Sequence, residues 1–78
     1  MKPRDKERTI MESIEKAKVR LAHWISHNDH HEEEYEAFAQ QLESAGQGAA
    51  AGHVREMIEY TRQGTDCLRK SLDAINNG

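Results

Sequence analysis

An apolar series, Ile10, Ile14, Ala17, Leu21 and Trp24, alternates steps of four and three residues, and more than any other feature it limits what this chain can fold into. That rhythm puts all five side chains on one face of a helix; a strand, with its period of two, would scatter them over both faces. The same steps run on through Asn28, His31, Tyr35, Phe38 and Leu42, so pattern alone allows one helix as far as Ser44. Composition agrees: there is one proline, and Glu, Lys, Arg, Gln and Ala are abundant.

Local signals divide this pattern. Thr9 followed by Glu12 has capping-box spacing, which predicts a helix start there, with residues 1–8 as a flexible N-terminus and 9–78 as a single helical domain. Asn28 and Asp29 are good N-caps and poor interior residues, and Asp29 with Glu32 repeats the capping spacing, which predicts a turn or kink at Ser26 to Asp29. Three glycines in "SAGQGAAAG", Ser44 to Gly52, predict a loop. A further helix follows, with Val54, Ile58, Thr61, Leu68, Leu72 and Ile75 inward and Asn76, Asn77 and Gly78 as its stop. Gly64, inside that helix, reads as a place of close approach, and a reversal near Gly48 brings it to the level of His31.

The expected fold is therefore all-α, a small three-helix bundle with helices at about Thr9 to His27, Asp29 to Ser44 and Ala49 to Asn76. Its expected core is Leu21, Trp24, Tyr35, Phe38, Leu42, Ile58, Leu68 and Leu72. If the first two helices are continuous, the alternative is a long helical hairpin that dimerises to cover its stripe.

A chain of 78 residues is one domain with a thin core, so a homo-oligomer or a bound metal is expected to support it. The lone Cys67 cannot form an internal disulfide, which points to a reducing, cytoplasmic setting. No apolar run approaches the roughly 20 residues that span a bilayer, so no membrane partner is expected. Nor is nucleic acid: net charge is −3, and Lys2, Arg4, Lys6 and Arg8 are interleaved with Asp5 and Glu7.

The chemistry concentrates in "HWISHNDHHEEEYE", His23 to Glu36. His23 and His27 have the spacing of four that lets two imidazoles reach one ion, His31 extends the series by four more, and His30 and Glu34 lie close by. His23, His27, His30, His31 and Glu34 are thus the candidate metal ligands. Neutral imidazole suits zinc, nickel, cobalt, copper or iron better than calcium or magnesium. Cys67 is a weaker candidate, and His53 reads as a surface residue. Solvated histidines beside Glu32 and Glu33, interacting with a helix end, are the plain alternative. A catalytic role is not expected: no nucleophile motif surrounds Ser13, Ser26 or Cys67, no glycine-rich phosphate loop is present, and so small a chain encloses little volume.

The segment Leu21 to Ala39 resembles the short His-rich helical domain of uncharacterised bacterial and archaeal proteins, in which His-Trp-Ile-x-His-Asn-x-x-His precedes an acidic pair and an aromatic residue. The match falls on His23, Trp24, Ile25, His27, Asn28 and His31, then Glu33, Glu34 and Tyr35. Ala45, Gly46, Val54 and Leu68 to Ile75 fit its weaker second half. That domain is sometimes appended to small nickel-binding accessory modules of carbon monoxide dehydrogenase maturation. The resemblance implies transition-metal handling and selects His31 over His30 as the third ligand; the expected ion is nickel or zinc. The two functions in view are a metal-binding or metal-accessory protein, and a helical interaction module in which the histidines line a polar layer.

Overall fold

The computed structural model describes residues 2–78, with side chains from Lys6 onward. Met1, and the side chains of Lys2, Arg4 and Asp5 in the basic cluster, lie outside the described residues. Two helices, α1 (Lys2–Ser44) and α2 (Gly48–Asn77), form an antiparallel hairpin measuring 68 × 16 × 13 Å. All-α is correct, and the three-helix bundle is not: α1 runs unbroken through both Thr9 and the expected break at Ser26 to Asp29.

The break fails because its capping residues are engaged elsewhere. Asp29 accepts from Arg69 and Glu32 from Arg62, both on α2, so the two carboxylates cross the hairpin instead of capping a new helix. Asn28 is half-buried against α2. Helix-interior Asn and Asp cost at most about 0.7 kcal/mol each relative to alanine, a penalty that tertiary contacts readily outweigh.

The expected nine-residue loop contracts to Ala45–Gln47. Gly46 takes φ 79°, its N–H donates to the Glu43 carbonyl, and the Gln47 N–H donates to the Leu42 carbonyl. This 6→1 and 5→2 pair closes α1 on a left-handed glycine. The other glycines of the stretch, Gly48 and Gly52, belong to α2.

Facing residues recur with a period of seven. On α1 the seam is Leu21, Ile25, Asn28, Glu32, Tyr35, Ala39 and Leu42; on α2 it is Ala51, Val54, Ile58, Thr61, Thr65, Leu68, Leu72 and Ile75. Steps of three and four on both helices define a coiled-coil seam. Its buried apolar centre is small, made of Ala39, Ala51 and Ile58. Thr65, two turns past Ile58 along the seam, is fully buried and satisfies its hydroxyl by donating to the Thr61 carbonyl, while the Thr61 hydroxyl donates to that of Met57.

Two expected core residues are corrected. Trp24 is 46% exposed and Phe38 51%, because each stands one position before its seam neighbour, Ile25 or Ala39. Helices packed 8–10 Å apart admit Ala and Ile between them more readily than large rings, and Trp24 and Phe38 lie beside the seam while Tyr35 enters it half-buried. The close approach expected at Gly64 is likewise absent: a methyl group added there meets nothing within 4 Å.

The hairpin's two flanks differ. On one, Arg55, Arg62 and Arg69, spaced by seven, reach across to acids of α1: Arg55 to Glu36 at 3.2 Å and to Glu43, Arg62 to Glu32 at 2.8 Å, and Arg69 to Asp29 at 2.7 Å. These hydrogen bonds, led by those donated to Glu43, Glu32 and Asp29 respectively, hold the three guanidiniums above their ordinary ionisation range. On the other flank the rows beside the seam carry Trp24, His31 and Phe38 on α1 and Met57, Gly64 and Ser71 on α2. No residue of these two rows carries Asp, Glu, Lys or Arg. Beyond the end of α2, residues 6–16 of α1 are all exposed, Ile10, Met11 and Ile14 among them.

Candidate metal site

An unbroken α1 turns the histidines into a ridge. A step of four advances 400°, so His23, His27, His31 and Tyr35 follow one another up the helix while drifting from its outer surface towards the seam. The His23 and His27 rings stack at 5.8 Å, His27 meets His31 edge-on at 4.2 Å, and His31 stacks on Tyr35 at 5.8 Å. His23, His27 and His30 are exposed; His31 and Tyr35 are half-buried.

The tightest contacts lie in the middle of the ridge. Nε2 of His31 is 2.8 Å from Nε2 of His27, and Nδ1 of His31 is 2.8 Å from Oε1 of Glu34. A carboxylate only accepts, so Nδ1 of His31 carries a proton and donates it to Glu34. In neutral His31, Nε2 is then the bare nitrogen, and Nε2–H of His27 donates to it; this assignment follows from the bonding network. The result is a Glu34–His31–His27 relay in which the acid fixes the tautomer and orientation of the central ring.

Of the five candidate ligands, the structure therefore joins His27, His31 and Glu34. His23 offers its ring face to His27, not a converging nitrogen, and His30 is tilted 6.3 Å from His31. Among the described residues, no group of three or more His, Cys, Asp or Glu side chains is arranged to hold a metal ion. Cys67 is exposed on α2, and His53 is exposed beside Glu56, with 3.3 Å between Nδ1 and Oε1. No helix among the described residues is long and apolar enough to cross a membrane.

Sequence reasoning missed the arginine flank that holds α1 straight under this ridge. Its signal was available: Arg55, Arg62 and Arg69 repeat every seven residues, as do Asp29, Glu36 and Glu43.

Fold and ridge together define a small antiparallel helical hairpin, closed on one flank by ion pairs and carrying a histidine ridge on its longer helix. The chain belongs to the family described as a domain of unknown function (DUF8180), which matches residues 17–75. No curated protein and no solved structure matches it.

Proposed function

We propose that the chain is a non-catalytic, cytoplasmic transition-metal-binding or metal-accessory protein that takes one ion between Nε2 of His27 and Nε2 of His31. The observation that carries this reading is the 2.8 Å separation of those two nitrogens, with Glu34 occupying the far nitrogen of His31. Ligands at about 2.0–2.1 Å with a right angle between them stand about 2.9 Å apart, whereas a tetrahedral angle spreads them to about 3.4 Å. A small rotation of either imidazole covers the difference, so nickel and zinc both suit the pair. The nickel-module association that the resemblance implies ranks nickel first. An entering ion needs both Nε2 atoms bare, so His27 turns to the tautomer protonated at Nδ1 and the ion sits to one side of the line between the two nitrogens, while Glu34 orients His31 without itself being a ligand. His23 and His30, one turn or less away, are reserve ligands reached by turning their side chains. Water or a partner's groups complete the shell.

Calorimetric titration with nickel, zinc and cobalt tests this directly. One ion per chain with micromolar or tighter affinity, lost in His27→Ala and retained in His53→Ala, supports the reading; equal binding by both variants, or none by the native chain, rejects it.

A further inference from the structure

The arginine ladder leaves the hairpin with one finished flank and one unfinished. On the unfinished side, Trp24 and Phe38 are about half exposed, Met57 is 38% exposed, and Tyr60, one turn on from Met57, lies at the rim. Arg20 stands over the Trp24 ring at 6.0 Å from its centroid. On α1 this row joins two seam rows, so three of every seven positions are apolar or weakly polar except at Glu32, which Arg62 neutralises from the finished flank. A two-stranded seam needs two; a stripe of three belongs to the helices of a larger bundle. The stripe also outruns α2, leaving Ile10, Met11 and Ile14 as a continuation of the seam with no helix opposite.

We infer that this flank is the surface on which a second copy of the chain seats, flank to flank, to make a four-helix bundle. Three observations favour a second copy as the occupant. The flank is continuous with the intramolecular seam, so a facing hairpin extends an existing core. The two helices lie side by side over the 30 residues of α2, about 45 Å at 1.5 Å per residue, and a face that long and 16 Å wide offers roughly 700 Å² per copy, near the 800 Å² or so that each partner of a stable complex buries. The Trp24–His31–Phe38 and Met57–Gly64–Ser71 rows carry no Asp, Glu, Lys or Arg, so a two-fold pairing of the same patch on itself meets no like-charge repulsion along them. The partner's helices also supply the surface that the overhanging Ile10, Met11 and Ile14 lack. The dimer needs no metal.

Sedimentation in EDTA across a hundredfold concentration range tests the inference apart from the metal reading. Twice the chain mass of 8.9 kDa is expected for the native protein, with a Tm that rises with concentration. Phe38→Glu and Met57→Glu, made separately, should each weaken dimerisation at least tenfold, while Val19→Glu, on another face of α1, leaves it unchanged. Because a monomeric variant can lose its fold, the concentration dependence of the native Tm stands as an independent readout. A monomeric native chain, a Tm independent of concentration, or a folded Phe38→Glu variant that dimerises as tightly as the native chain overturns the inference.

Discussion

Nη2 of Arg69 lies 3.0 Å from Oδ1 and 2.7 Å from Oδ2 of Asp29, so one nitrogen of α2 holds both oxygens of the residue expected to begin a new helix. The same arginine reaches Asp66 on its own helix at 3.1 Å. With Arg62 and Arg55 it fixes the register in which the two helices meet. Arg69→Ala should therefore lower the Tm, and so should raising salt to about 1 M, where the Debye length shrinks to about 3 Å. A melt of the native chain and of this variant at low and high salt checks both: the salt effect should be smaller in the variant. The sign with pH follows from the direction of the arginine shifts. A cation whose ionisation is raised on folding contributes at every pH below its ordinary, strongly basic range and is lost only above it, so between pH 6 and 9 the arginines keep the ladder closed.

Gly46 and Gly52 should respond in opposite senses to the same change. Gly46→Ala puts a β-carbon on a left-handed residue and should cost roughly 1 kcal/mol, though space around it is free. Gly52→Ala replaces an exposed glycine inside α2 and should add about 1 kcal/mol. Urea denaturation of the two variants reads both signs at once.

Ile58 is 2% exposed and is the largest apolar side chain among the three fully buried ones. Ile58→Ala should cost about 2–4 kcal/mol, while Val19→Ala, at a 69% exposed position, should stay within about 0.5 kcal/mol. Equal effects in a denaturant series contradict the seam.

Metal binding and protons should compete. Imidazoles as a class take up a proton near pH 6.5, and both nitrogens must be bare to share an ion. Nickel affinity should fall more than about tenfold between pH 7.5 and 5.5. At pH 7.5, nickel at a hundred times its dissociation constant should add about 2.7 kcal/mol of stability. Thermal melts with and without nickel check this: the rise should vanish in His31→Ala and persist in His53→Ala.

The helical class, a reversal within Ser44 to Gly52 and the inward series Ile58, Thr61, Leu68, Leu72 and Ile75 were legible because period and glycine chemistry are local properties. The phase of the α1 stripe was not. Trp24 and Ile25, like Phe38 and Ala39, are adjacent and both apolar, and only the spacing between two packed helices decides which of them faces inward. The false break at Asn28 and Asp29 has a similar cause, since a good N-cap is also a good partner for an arginine forty residues away. The spacing of four among His23, His27 and His31 was visible in sequence. That His27 and His31 alone bring bare and protonated nitrogens together depends on side-chain rotation, which periodicity does not encode.

The central claim concerns two atoms, Nε2 of His27 and Nε2 of His31, and long-range ¹H–¹⁵N correlation of the imidazoles observes them directly. On addition of diamagnetic zinc at pH 7.5, these two resonances should shift together while Nδ1 of His31 stays protonated on Glu34 and the rings of His30 and His53 hold their positions. A spectrum in which zinc leaves His27 and His31 unchanged, or moves all five histidines alike, contradicts the assigned site.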